Sequence, residues 1–310
     1  MSVQQTDESF VKLVHKIAPG ARLLQVRELS GGLSNEVVVF DIALPDGKVK
    51  KMVKRGGENV LSHYQKENAL ENEFHLLNIL HQQGYRVPET YCLDTSGELF
   101  KPVYFVMAYM EGVPLFKPEN LADYIKQSVQ QLVHIHQYPS AATRLSFLPE
   151  LNASLADSQK RRVRLDATLN EIRIGEILEA VWPLPQQHAP TLVHGDFWPG
   201  NLLWQDQQLT AILDWEFAAI GDPLFDLATA RLEILWQFGA EVMDQFTRQY
   251  AAIMTQLDFS QLPYWDLAAA FVRPINECPE MFAESTRVPI EVLRTGHLWF
   301  TTQALAKLAG

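Results

Sequence analysis

Two polar clusters, set beside short apolar runs, constrain this chain more than any other feature. His194-Gly-Asp-Phe-Trp-Pro-Gly-Asn201 is followed by apolar residues 202–204, a polar turn, apolar residues 209–213 and Asp214-Trp-Glu216. The runs 191–193, 202–204 and 209–213 read as short strands beside those clusters, in a region whose remaining text is helical. An Asp, an Asn five positions on and a second Asp thus come from one compact unit of chain. Asn201 and Asp214 offer hard oxygen donors of the kind Mg²⁺ takes. Asp196 is a carboxylate able to accept or orient a hydroxyl proton. That set suits phosphoryl transfer, where catalysis is positioning and charge neutralisation around a metal-bound nucleotide.

A chain of 310 residues holds one large domain or two lobes of ordinary size. Its 47% apolar and 20% charged residues are globular values. Charge is uneven. Residues 194–310 carry 15 acids against 6 bases, and residues 1–193 carry 22 against 20. Phosphate backbones require a basic face, so no nucleic-acid partner is expected. The acidic half suits a cationic small molecule through its field, and suits plain solubility equally well. No apolar run approaches the roughly 20 residues that span a bilayer, and residues 1–8 lack the charge and hydrophobicity of a leader. A cytoplasmic protein with no membrane association is the expectation. Cys92 and Cys278, far apart and outside any C-x-x-C spacing, read as free thiols.

The N-terminal text is β-rich. Residues 8–18 have helical periodicity, with Asp7 as cap and Gly20 as stop. Strands follow at 23–29, 37–42 and 49–54, the last two joined by Pro45-Asp-Gly47 as a hairpin. Ser30-Gly31-Gly32-Leu-Ser34-Asn35 before that hairpin reads as a phosphate-covering loop or as a plain turn. Residues 64–83 turn helical and stop at Gly84 and Pro88. Two more strands, 90–93 and 103–107, precede the break at Tyr109-Met-Glu-Gly112-Val-Pro114. Helical text resumes at 121–136. Residues 139–190, polar and Arg-rich with a helix near 165–181, read as an insert or interlobe helix. The boundaries expected are a nucleotide-binding lobe at 1–108, a hinge at 109–114 and a helical lobe at 115–310.

Together these pieces resemble the aminoglycoside phosphotransferase and choline kinase superfamily, the small-molecule branch of the protein-kinase-like fold, across residues 29–231. The specific part is His194 to Asn201 with Leu213-Asp-Trp-Glu-Phe-Ala-Ala-Ile-Gly-Asp-Pro-Leu-Phe-Asp226-Leu-Ala. The resemblance implies an α+β two-lobe fold, with a β-rich N-terminal lobe and a mostly helical C-terminal lobe. It implies ATP and Mg²⁺ as cofactors and a small-molecule hydroxyl as acceptor. Asp196 would be the catalytic base, and Asn201 and Asp214 the metal ligands. Lys54 would meet the α- and β-phosphates and Glu73 would pair with it. Gly31, Gly32, Ser34 and Asn35 would cover the phosphates. Met107 to Met110, Tyr109 among them, would be the hinge that meets adenine.

Several of these positions have rivals. Arg55 competes with Lys54, and Glu67 and Glu71 compete with Glu73. His194 reads as a packing histidine before a proton shuttle, and Asp222 and Asp226 as braces of the loop. His134 and His136, two apart on a helix, face different directions and make a poor metal pair. Trp198 stands where protein kinases carry lysine, and Ala-Pro-Glu and Phe-Gly signatures are missing, which disfavours a protein substrate. Walker A and G-x-S-x-G patterns are absent. The aromatics Trp236, Phe238, Tyr250, Tyr264, Trp265, Phe282 and Trp299 read either as a cation-binding surface or as helix packing. Glu277, Glu280 and Glu284 read as amine-binding or as a solvated face. A non-catalytic nucleotide-binding regulator is the competing class.

Overall fold

The computed structural model describes residues 3–28, 37–56, 68–101, 103–160 and 164–309. They fall into two compact units, 1–111 and 112–310. The fold is the mixed kinase-like one, an antiparallel sheet in the first unit and mostly helices in the second.

The first unit runs α1 (Val3–Ile17), β1 (Arg22–Glu28), β2 (Val37–Ala43), β3 (Val49–Gly56), α2 (Ala69–Gln82), β4 (Thr90–Asp94) and β5 (Tyr104–Ala108). Its five strands pair antiparallel in the order β1-β2-β3-β5-β4. Both faces are covered. On one, Phe10, Leu13 and Val14 of α1 pack against Val38, Phe40, Ile42, Met52, Tyr104 and Val106. On the other, Phe74 of α2 lies edge-on to Phe105, with ring centroids 5.9 Å apart. Side chains alternate across a strand, so neighbouring residues of β3 answer to different helices.

The second unit opens with β6 (Val113–Pro114), α3 (Leu121–His136), α4 (Ala141–Arg144), α5 (Leu151–Lys160) and α6 (Glu171–Val181). Asn120 caps α3, its side chain accepting the Asp123 N–H at 3.0 Å. Next come β7 (Thr191–Val193), β8 (Leu202–Gln205), β9 (Gln208–Ile212) and β10 (Ala219–Gly221). The unit ends with α7 (Leu224–Phe238), α8 (Ala240–Ile253), α9 (Leu262–Phe271), α10 (Pro279–Thr286) and α11 (Ile290–Ala309). Nearly every side chain of α7 is buried, its three charged residues Asp226, Arg231 and Glu233 included. Helices α8, α9 and α11 pack around it.

Three expectations change here. The 109–114 break contains a strand, because Val113 and Pro114 pair with Trp204 and Leu203 of β8. Two residues are too short for a periodic signal. The 139–190 region is no insert: Ile174 and Leu178 of α6 are buried and the helix packs on α9 inside the second unit's core. The helix near 165 also starts later, because Asp166 caps a 3-10 turn over Ala167–Leu169 first.

Candidate active site

Strands β7 and β10 pair antiparallel, as do β8 and β9, and the two polar clusters occupy the connections between them. The loop 194–201 leaves β7 and enters β8, while 213–218 leaves β9 and enters β10. Backbone bonds tie the loops together: the Leu213 N–H donates to the Asn201 carbonyl at 2.9 Å. His194 adds a side-chain tie. Its Nε2 donates to the Leu213 carbonyl at 3.0 Å, and its Nδ1 accepts the Asp196 N–H at 3.2 Å. The ring is fully buried and packs on Trp215, centroids 4.4 Å apart. Burial holds its pKa below the usual value, although Asp226, Asp196 and Asp214 pull the other way. A neutral, immobile ring is a brace, and His194 does the work of one.

Two glycines in this loop have steric reasons. Gly195 has φ +84°, and a Cβ there would lie 2.3 Å from the Phe217 carbonyl oxygen. At Gly200 a Cβ would strike the Trp198 ring at 2.1 Å. Asp214 itself is left-handed, φ +64°, a conformation Asp tolerates better than most residues.

Asp226, in the first turn of α7, is completely buried and grips the loop from behind. Its Oδ2 accepts the His194 N–H at 2.7 Å and its Oδ1 the Gly195 N–H at 2.8 Å. His136 of α3 backs it, Nε2 lying 3.1 Å from Oδ2. The other ring nitrogen, Nδ1, is 2.6 Å from the Tyr250 hydroxyl. The carboxylate can only accept, so His136 Nε2 is the donor in that contact. Asp222 braces more locally, through Leu224 N–H and His188.

Asn201 turns its Nδ2 onto Asp196, 2.9 Å from Oδ2 and 3.0 Å from the backbone carbonyl. That leaves the amide oxygen as the hard donor it can offer a cation. Among the described residues no three His, Cys, Asp or Glu side chains are grouped for a metal. A site of one amide and one carboxylate fits Mg²⁺, which keeps waters and takes further oxygens from phosphates.

Asp196 has a second partner, one the sequence motifs do not disclose. Arg273, two residues beyond α9, donates Nη2 to Asp196 Oδ1 and Nε to Glu233 Oε1, the latter at 3.1 Å. Glu233 lies in α7, 3% exposed at its side chain, and burial pushes its carboxyl up to about 7 against the pull of Arg273. A lone arginine after the apolar run 267–272, and a glutamate among the apolar residues 232–236, were the available sequence signals. Their partners, 77 and 40 residues away, were not readable.

In the first unit the strand register separates Lys54 from Arg55. Lys54 lies opposite Val38 and Val106, on the α1 face, its ammonium 5.1 Å from the Phe100 centroid and 5.8 Å from that of Tyr104. Arg55 lies opposite Val37 and Phe105, on the α2 face, with Nε 3.0 Å from Glu73 Oε2. Glu73 and Arg55 are both buried. The ion pair expected between Lys54 and Glu73 is therefore seen at Arg55, for reasons of strand parity. Met107 sits opposite Val53 in β5, and the Tyr109 N–H donates to the Lys51 carbonyl at 3.1 Å. Gly31, Gly32, Ser34 and Asn35 lie outside the described residues, as does Glu67.

The C-terminal aromatics mostly resolve to packing. Trp236, Tyr250, Trp265 and Phe282 are buried, Trp265 edge-on to Trp182 and Trp236 stacked on His297. Glu280 and Glu284 are exposed.

A β-rich unit, a helical unit and a carboxylate–amide pair on a braced loop make up the fold and the candidate site. The model of the phosphotransferase enzyme family, APH, matches residues 25–260, and the chain belongs to that family. It is similar to acyl-CoA dehydrogenase family member 10 of Mus musculus, 29% identical over 222 residues, 66% of this chain and 20% of that protein. It is also similar to thiamine kinase of Escherichia coli K12, 28% identical over 160 residues, 51% of this chain and 54% of that one. The chain thus spans about a fifth and about half of the lengths of these relatives. Among solved structures, an APH(4)-Ia aminoglycoside phosphotransferase in complex with AMP-PNP and hygromycin B has TM-score 0.64 at 15% identity, covering 97% of this chain and 99% of that one. An APH(2'') enzyme with GDP and kanamycin has TM-score 0.63 at 19% identity, covering 93% and 97%. These two likenesses are of fold.

Proposed function

We propose that the protein is an ATP- and Mg²⁺-dependent kinase that phosphorylates a hydroxyl group of a small molecule in the cytoplasm. The observation that carries this reading is the grip of Asn201 on Asp196, 2.9 Å, in a loop bonded to the segment that bears Asp214. Asp196 holds the acceptor hydroxyl in line and takes its proton as the bond to phosphorus forms. With a loose transition state little proton transfer is needed early, so orientation is the larger contribution. Asn201 and Asp214 would hold the Mg²⁺, which would neutralise phosphate charge. In the first unit the buried Arg55–Glu73 pair supports Arg55 as the cation that meets the nucleotide's phosphates, in place of Lys54. Thiamine kinase as a relative, and hygromycin B and kanamycin in two solved structures of similar fold, support a small polar acceptor.

The test is nucleotide consumption with Mg-ATP and Mg-GTP against choline, ethanolamine, thiamine, aminoglycosides, macrolides and hydroxy acids, with Asp196→Ala alongside. Acceptor-dependent turnover that vanishes in the variant is expected. Turnover unchanged by Asp196→Ala would overturn the assignment, and Mg-ATP binding without any transfer would favour the regulatory class.

A further inference from the structure

Three side chains form one chain of contacts: Asp196, Arg273 and Glu233. We infer that Arg273, itself held by Glu233, is a positioning residue that fixes the plane of the Asp196 carboxylate. The inference rests on Asp196 being the group that orients the acceptor.

The geometry is specific. Carboxylate rotation about χ2 of an aspartate is a broad, two-fold torsion with no deep staggered wells. One donor leaves the group free to swing about that bond. Asp196 has two, one per oxygen: Asn201 Nδ2 on Oδ2 at 2.9 Å and Arg273 Nη2 on Oδ1. An ionised carboxylate offers about four lone-pair sites, so both grips leave acceptor capacity for a hydroxyl. The guanidinium is planar, and its two prongs are rigidly related. Nε on Glu233 Oε1 at 3.1 Å therefore fixes where Nη2 stands. Glu233 is held in turn by α7, the helix whose first turn supplies Asp226 to the same loop. One helix thus sets the loop's backbone through Asp226 and its working side chain through Glu233 and Arg273.

The site also has no other fixed cation beside Asp196 from its own loop, since residues 194–201 contain neither lysine nor arginine. Arg273 brings one from beyond α9, flanked by Pro274. Burying a carboxylate such as Glu233 is costly unless it is paired, and breaking the pair exposes that cost. A merely structural salt bridge would have no need to end on the carboxylate of the catalytic motif.

The experiment uses the full chain with Mg-ATP and water as the acceptor, comparing wild type, Arg273→Lys, Arg273→Ala, Glu233→Gln and Asp196→Asn. Displacing a reacting group by about 1 Å costs on the order of 100-fold in rate. Arg273→Ala is expected to lose about that factor in kcat, with the binding of a fluorescent ADP analogue within about threefold. Added guanidinium chloride, below denaturing concentrations, should restore part of the loss in Arg273→Ala and none in Asp196→Asn. Arg273→Lys keeps the charge without the rigid fork and should fall between. Because Arg273→Ala leaves Glu233 buried and unpaired, Arg273→Gln with Glu233→Gln serves as the folded counterpart and should show the same loss. Independently of turnover, ¹⁵N-arginine spectra should show a slowly exchanging Arg273 guanidinium that disappears in Asp196→Asn. Full activity of Arg273→Ala and of the double variant, or a guanidinium signal indifferent to Asp196→Asn, would overturn the inference. Full activity of Asp196→Asn would instead overturn the function on which it rests.

Discussion

Replacing Asp226 by Asn tests whether the 194–201 loop is held from behind, and the cost can be worked from the contacts. The carboxylate accepts the His194 and Gly195 N–H groups at 2.7 and 2.8 Å and faces His136 Nε2 at 3.1 Å, all out of water. Asn keeps one acceptor oxygen and puts an NH₂ where the second was. One backbone N–H, Gly195 or His194, then faces a donor. Losing a charge-assisted hydrogen bond costs about 1.5–3 kcal/mol, and stranding a buried N–H adds about 1–3. The expected penalty is about 3–5 kcal/mol, local to the loop, against total stabilities of about 5–15. Amide hydrogen exchange reads it directly, since two units need not unfold together. The His194 and Gly195 amides should exchange on the order of 100-fold faster or more, and transfer should fall by a similar factor as Asp196 shifts. Asp222→Asn is the control: its carboxylate meets Leu224 N–H and His188 but neither loop amide. If Asp226→Asn leaves both amides as protected as in wild type and turnover within about threefold, the brace argument fails.

Four further outcomes follow from the same contacts. Arg55→Met should weaken Mg-ATP affinity about tenfold or more while Lys54→Met costs stability without a comparable effect on binding; isothermal titration of both variants separates them, and the reverse order would return the phosphate role to Lys54. Asp214→Ala should abolish Mg²⁺-dependent enhancement of nucleotide binding, measured as ATP affinity with and without the metal. Gly195→Ala should lose activity and at least about 1–3 kcal/mol of stability, because φ +84° and a contact of 2.3 Å with the Phe217 carbonyl are both unfavourable, as thermal unfolding would register. Glu233 is raised in the folded state from 4.5 to about 7. Folding therefore favours its protonated form, and that stability is present below the unfolded pKa and lost as pH rises through about 7. Urea titrations of wild type and Glu233→Gln between pH 4.5 and 7.5 should differ by a gap that changes on the order of 3 kcal/mol across that window.

Why the spacing of Asp196, Asn201 and Asp214 is legible in the sequence, while the partners of Arg55 and Arg273 are not, has a physical answer. The first three lie within twenty residues, joined by strands so short that spacing alone brings them together. Position 54 against 55 is a question of parity, and parity is readable when one face of a strand is wet. Here α1 covers one face of β3 and α2 the other, so Met52, Val53, Lys54 and Arg55 are all buried and no alternation marks the sides. The deciding contacts, Phe100 and Tyr104 for one residue and Glu73 for its neighbour, come from other elements. The 139–190 region misled for a related reason: its polar text hides Ile174 and Leu178, whose burial depends on α9, some ninety residues downstream. Glu233 did carry a trace, since a charge inside a mostly apolar helix requires a partner, and so did Arg273, which directly follows the apolar run 267–272. α7 holds three such residues, Asp226, Arg231 and Glu233, and each answers to a different segment: the loop at 194–195, Asp266, and Arg273. An apolar helix with isolated charges is therefore best understood as a hub that aligns distant pieces, and in this chain two of its three charges lead to Asp196.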